Sequence, residues 1–156
     1  FLPLVWKLFP GLCYNMKHKK EGTFMKEIKL HTKLTKKITV EESMLASHVG
    51  SGIVDVYATP MMIALMENTA AACLNQFLEE GETSVGVMMR TTHDAATPAG
   101  MTVTAEVEIT AVDRKKVSFH IIARDERDLI GTADHDRFIV KKEAFEAKAL
   151  SKLENS

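Results

Sequence analysis

Two residues in the middle of the sequence have side chains that could do chemistry: Glu67 and His93. Glu67 is the only charged residue between Thr59 and Leu78, in a segment that is otherwise mostly apolar. A carboxylate in apolar surroundings is costly unless it is paired, and it suits a nucleophile or a base. His93 can move protons near neutral pH. The alternatives are a structural carboxylate that accepts hydrogen bonds and a polar histidine at the end of a strand.

Thr59 stands directly before Pro60, which is typical of a helix start with a threonine N-cap and a proline at the first helical position. Gly81 supplies a stop signal. The segment between them is apolar almost all round and predicts a long helix that is buried on most sides. Eight residues of helix separate Thr59 from Glu67, about 12 Å. Two side chains that far apart cannot hydrogen-bond directly. Either Thr59 precedes the helix and the chain doubles back, or Thr59 and Glu67 act on different parts of a site, or Thr59 is a plain N-cap.

Five strands are predicted around this helix. One, at 33–40, precedes it, with a short helix and a glycine-containing loop at 41–52 in between. Four follow it, at 83–93, 101–110, 117–125 and 129–140. Consecutive strands with short turns form antiparallel meanders. We therefore predict an α+β fold in which a five-stranded antiparallel sheet wraps around one long buried helix.

The alternation along the last predicted strand places His135 and Arg137 on one face with Leu129, Ala133 and Ile139. This face is expected to point at an interior or an interface. The same alternation directs Asp134 and Asp136 away from His135. A shared metal ion is therefore not expected in this segment, and no cofactor is predicted.

The two ends of the chain differ from the rest. Residues 1–24 hold the only Trp, two of the four Pro residues and the basic cluster KHKK. We interpret them as a leader or vector-derived segment outside the fold, with Met25 as the natural start and Met16 as second choice. The alternative is an amphipathic arm that packs on a partner. Residues 25–150 are predicted to form one domain, and 151–156 an exposed tail after a short helix.

Composition narrows the classes of function. A chain of 156 residues is long enough for one domain with a core, and its net charge of −1 provides no strong field for nucleic acid or anionic lipid. Two cysteines make no disulfide framework, which favours a reducing, cytoplasmic setting. No apolar run approaches the length that spans a membrane. We therefore expect neither a nucleic acid partner nor a membrane partner.

Three motifs together resemble the fluoroacetyl-CoA thioesterase family of the hotdog superfamily. They are the helix ATPMMIALMENTA, the strand SVGVMMRTTHDAATPAGMTV and the strand GTADHDRFIV, and the similarity covers residues 26–147. The resemblance implies a hotdog fold and hydrolysis of an acyl-CoA thioester by Thr59, Glu67 and His93. It also implies two substrate-binding residues. They are Gly86, which lies by the acyl group, and Arg137, which matches the arginine of the last strand.

The resemblance further implies a homodimer, and a tetramer is an alternative. An exposed edge strand tends to pair or to be covered, and hotdog relatives pair theirs near the acyl site. Two other functions stay open: an acyl-CoA-binding module without turnover, and a hotdog hydratase. The chain departs from the family in the loop before the helix, where Gly50, Gly52, Ile53 and Val54 stand in place of lid phenylalanines. We therefore expect short or medium acyl groups as substrates, without strong selection for fluorine.

Overall fold

A computed structural model describes residues 27–153. Its five strands and three helices follow the predicted order. They are β1 (Lys33–Thr39), α1 (Ala46–Val49), α2 (Thr59–Asn75), β2 (Glu82–Thr91), β3 (Thr102–Asp113), β4 (Lys116–Arg124), β5 (Leu129–Lys141) and α3 (Lys142–Leu150). The predicted leader and the predicted start at Met25 lie outside the described residues.

The five strands form one antiparallel sheet in the order β1-β3-β4-β5-β2, which confirms the predicted fold class. Four strands do follow the helix in sequence, but the expectation that all four form one meander was wrong. Only β3, β4 and β5 form a meander, because β2 pairs with β5 and lies at an edge. The chain leaves β2 at Thr91 and crosses the end of the sheet before β3, through a loop that includes Pro98 and Gly100.

Helix α2 packs against one face of the sheet and contributes seven buried residues to the core: Met62, Leu65, Met66, Thr69, Ala70, Cys73 and Leu74. It ends at Asn75, earlier than the glycine stop predicted at Gly81, which instead has φ +77 just before β2. The opposite face of α2 is exposed to solvent in the single chain. Pro60, Ala64 and Asn68 are exposed along it, so the helix is less enclosed than predicted.

The predicted alternation holds along β3, where Val103, Ala105, Val107 and Ile109 are fully buried. On β5 the inward residues include Ala133, His135, Arg137 and Ile139, as expected. Leu129 was wrongly placed with them, since it is 40% exposed while Ile130 enters the core. The register between β4 and β5 shifts at Ala123 and Arg124, and this shift breaks the alternation at the start of β5.

The remaining helices are short. The predicted helix at 41–52 is a 3₁₀ turn, Glu42–Met44, followed by the four residues of α1 and by Gly50 at φ +75. Helix α3 is exposed along its whole length, as expected for the C-terminal segment. None of the helices within residues 27–153 has both the length and the apolar character that a membrane span requires.

Candidate active site

Thr59 and His93 form a pair at one end of the sheet. The Thr59 hydroxyl lies 2.7 Å from Nδ1 of His93. Thr59 is the first residue of α2, and Ala58 occupies the N-cap position without a side-chain cap. The N-cap interpretation of Thr59 was therefore wrong by one position, and its hydroxyl is directed to the histidine. We call these two residues the threonine–histidine pair.

Backbone hydrogen bonds hold both members of this pair in place. Before Thr59, the N–H of Tyr57 donates to Thr97 O at 2.8 Å, and the N–H of Ala58 donates to Met44 O at 2.9 Å. On either side of His93, Thr92 and Asp94 donate to carbonyls of β5 at 2.9 and 2.7 Å. These bonds connect the start of α2 and the end of β2 to the rest of the fold, so the pair rests on fixed backbone.

A cavity of about 360 Å³ opens beside the threonine–histidine pair. Its other walls come from α1, from the loop that contains Gly52 and Val54, and from Asp94 and the two alanines after it. Nε2 of His93 is buried and has no hydrogen-bond partner among the described residues. A buried polar atom without a partner is costly, so this nitrogen is left with an unsatisfied hydrogen-bonding capacity.

Glu67 lies in a second group, two turns along α2. One carboxylate oxygen is 3.9 Å from Nε2 of His135, whose side chain is fully buried, while the Glu67 side chain stays 43% exposed. Arg137 lies behind His135, with Nη1 3.3 Å from that same Nε2. Its other nitrogens donate to Ser84, from Nε to the hydroxyl at 2.9 Å and from Nη2 to the carbonyl at 2.8 Å. Together with Gly86, these residues form what we call the glutamate cluster.

Gly86 makes room for this cluster. A Cβ at this position would lie 2.5 Å from Oε1 of Glu67 and 3.1 Å from Cε1 of His135. Gly86 pairs with Arg137 across the ladder, and a bulge follows it, so that Val87 projects outward and is 57% exposed. A side chain here would therefore displace the Glu67 carboxylate.

Burial shifts the pKa of two members of the glutamate cluster, His135 and Arg137. It lowers the pKa of His135, and the nearby Arg137 charge lowers it further, against the opposing effects of the Met88 hydrogen bond and of Glu67. The imidazole is therefore neutral at pH 7. Burial also lowers the pKa of Arg137, but an arginine stays charged at any physiological pH.

The aspartates beside His135 point to the outer face, as the alternation predicted. Asp134 binds Arg90 at 2.7 Å, and Asp136 accepts from the Ser118 hydroxyl at 2.6 Å. Among the described residues, no group of three or more His, Cys, Asp or Glu side chains is arranged to hold a metal ion.

The family model for fluoroacetyl-CoA-specific thioesterase matches residues 40–143. The chain belongs to this family. It is 39% identical over 98 residues to the fluoroacetyl-CoA thioesterase of Streptantibioticus cattleyicolor, and the match covers 63% of this chain and 70% of that protein. The protein is a thioester hydrolase of the hotdog superfamily, in agreement with the predicted fold.

Solved structures agree with this assignment. A fluoroacetyl-CoA thioesterase structure superposes with a TM-score of 0.78 at 31% identity, and it covers 81% of this chain and 98% of that one. A variant of that enzyme in complex with acetyl-CoA superposes at 0.77 and 30% identity, over 80% and 98% of the two chains. A thioesterase superfamily member from Thermus thermophilus gives 0.78 at 28% identity, over 84% and 97%.

The five predicted site residues of this thioesterase thus fall into two groups. Thr59 and His93 are in contact, and Glu67, Gly86 and Arg137 are together, but the two groups are two helical turns apart. Sequence analysis treated His135 only as an inward-facing residue and did not single out Ser84. The inward alternation of β5 was the available signal for His135, because a buried histidine needs polar partners.

Replacement of Gly86 by alanine tests the packing of the glutamate cluster. We expect Gly86→Ala to keep the fold, because the Glu67 side chain is partly exposed and can move toward solvent. We expect thioesterase activity to fall about 100-fold, since a displacement of about 1 Å at a reacting group has that effect. The measurement is kcat/KM with acetyl-CoA, together with the thermal midpoint.

The double variant Gly86→Ala/Glu67→Gln is the control. If the alanine acts by displacing Glu67, the double variant loses no more activity than Glu67→Gln alone. Additive losses would show that Gly86 acts independently of this carboxylate.

Proposed function

We propose that this thioesterase hydrolyses short and medium acyl-CoA thioesters, with Glu67 and His93 carrying the chemistry and Thr59 assisting. The observation that supports this proposal most is the threonine–histidine contact beside a cavity, with Nε2 of His93 buried and unpartnered. A thioester carbonyl is an activated electrophile, and the reaction needs a nucleophile, a proton carrier and a donor for the oxyanion.

The proposed reaction uses groups that this chain supplies. Water adds to the thioester carbonyl and gives up a proton to Glu67, or the Glu67 carboxylate attacks first and water then hydrolyses the resulting anhydride. The carbon–sulfur bond breaks as the carbonyl re-forms, and His93 delivers a proton to the departing thiolate. His93 then recovers a proton from Glu67 or, on the anhydride route, from the water that hydrolyses the anhydride. The Thr59 hydroxyl donates to the oxygen that becomes negative or orients the imidazole through the 2.7 Å contact.

Thr59 and Glu67 are separated by two helical turns, so the two side chains of one protomer cannot both reach the carbonyl of one thioester. We propose a homodimer as the solution. The edge strand β2 exposes Val87 and Met88, at 57% and 41%, and the open face of α2 carries Pro60 and Ala64. A two-fold axis perpendicular to α2 sets two copies of the helix antiparallel. An axis near Ile63, midway between the two groups, would set Glu67 of one protomer opposite Thr59 of the other.

Replacement of the two acid–base residues tests the chemistry. Glu67→Gln keeps the size of the side chain and removes its charge, so we expect acyl-CoA binding to persist while kcat falls by about 10³-fold or more. His93→Ala is expected to lose turnover as well. The measurements are release of free CoA thiol and the binding of acyl-CoA by calorimetry. Near wild-type turnover in either variant would refute the assignment.

Mixed dimers of these two inactive variants test the proposed assembly. When Glu67→Gln and His93→Ala chains are co-expressed with different tags, a purified heterodimer has one site with both residues intact if each site combines two protomers. We expect about half of the wild-type rate per dimer. A heterodimer as inactive as its parents would contradict the shared site, and a chain that sediments only as a monomer at micromolar concentration would contradict the dimer.

The loop beside the cavity predicts a broad substrate range. Ile53 is 97% exposed and Val54 is 57% exposed, and the loop carries no phenylalanine. An apolar pocket distinguishes substrates that differ by one small group by only about 10- to 200-fold.

We therefore expect hydrolysis of several acyl-CoAs, with at most this preference for fluoroacetyl-CoA over acetyl-CoA. The test compares kcat/KM for acetyl-, fluoroacetyl-, butyryl- and a longer acyl-CoA. A preference of about 10⁴-fold would exceed what such a pocket provides and would refute the expectation.

A further inference from the structure

We infer that His135 is a positioning residue for Glu67. Its neutral imidazole holds the Arg137 guanidinium near the Glu67 carboxylate and prevents a direct salt bridge between the two. The inference rests on the proposed function, because it assigns a reason for the free Glu67 carboxylate. It concerns a residue to which the proposed chemistry gives no role.

The imidazole orientation follows from its two partners. Nδ1 of His135 lies 2.7 Å from the carbonyl oxygen of Met88. A carbonyl only accepts, so Nδ1 carries the proton. In a neutral ring Nε2 is then the acceptor, and it receives the Nη1–H of Arg137 at 3.3 Å. Both nitrogens are committed, and the ring of Phe119 lies against the imidazole with its centroid 6.3 Å away.

The position of Glu67 follows from this arrangement. Its Oε1 is 3.9 Å from Nε2, which has no proton to donate to it. Arg137 is turned toward Ser84 by two hydrogen bonds and toward His135 by the third. The guanidinium therefore attracts Glu67 across the imidazole but makes no direct salt bridge with it. A bidentate salt bridge between Arg137 and Glu67 would place hydrogen bonds on both carboxylate oxygens. A carboxylate oxygen that already accepts such a bond is a poorer base.

Two replacements at position 135 separate this role from simple core packing. Glutamine reaches the position of Nε2 with an amide oxygen that can accept from Arg137. Asparagine reaches only the position of Nδ1, where its amide can donate to the Met88 carbonyl, and it leaves Arg137 without an acceptor. If the acceptor is what matters, His135→Gln keeps more activity than His135→Asn.

The measurement is kcat and KM for acetyl-CoA in both variants, with unfolding in urea as the check on stability. We expect His135→Asn to lower kcat about 100-fold with KM little changed, and His135→Gln to recover most of that loss. His120→Asn is the matched control, because His120 is exposed on the outer face of the sheet and contacts Asp134. It is expected to leave kcat unchanged. Equal losses in the Gln and Asn variants, or losses that follow stability alone, would overturn the inference.

A spectroscopic measurement on the unmodified protein gives a second test. Nitrogen-15 NMR distinguishes the two neutral tautomers of a histidine and the imidazolium. We expect the His135 ring to be neutral with the proton on Nδ1 at pH 7. A proton on Nε2, or a charged ring, would overturn the inference. If Glu67→Gln retains full turnover, the proposed chemistry fails; if Glu67→Gln is inactive while His135→Asn is fully active, only the role of His135 fails.

Discussion

The antiparallel pairing of β2 with β5 is the interaction on which both groups of the site depend. It sets Gly86 opposite Arg137 and Thr91 opposite Ala133. The middle of the ladder therefore holds the glutamate cluster, and its end leads directly to His93. A shift of one residue in a strand turns every side chain to the opposite face. The register that buries Ile139 in the core is thus the same one that directs His135 and Arg137 inward.

Polar groups inside the sheet are tolerated because they satisfy one another. A buried charge without partners costs several kcal/mol, by an order-of-magnitude estimate, and three nitrogens of Arg137 have acceptors in Ser84 and His135. The Glu67 carboxylate is partly exposed and less constrained. The cluster therefore combines buried side chains of β2 and β5, which hydrogen bonds hold in place, with one partly exposed carboxylate from α2.

Local patterns in the sequence predicted the strands and helices well, because the order of apolar and polar residues within each one shows which of its faces is buried. The alternation of Val103, Ala105 and Val107 identified β3 without reference to any other strand. The place of β2 in the sheet could not be predicted in this way, since pairing with β5 joins residues about 50 positions apart. The resemblance supplied Thr59, Glu67 and His93 as a set. The eight-residue spacing already separated Thr59 from Glu67, but the contact between Thr59 and His93 could not be predicted, because it joins residues 34 positions apart.

The spacing of eight residues along α2 has a physical consequence within the protomer. Residues four apart on a helix are neighbours and can pair, so a glutamate one turn after Thr59 would be close enough to interact with His93. That contact would commit the carboxylate and the imidazole to each other before any substrate arrived. With two turns between them, Nε2 of His93 stays unpartnered and Glu67 stays partly exposed. The same spacing that prevents direct contact in one chain thus keeps apart the two groups that we propose to react, and in the proposed dimer they meet across the open face of α2.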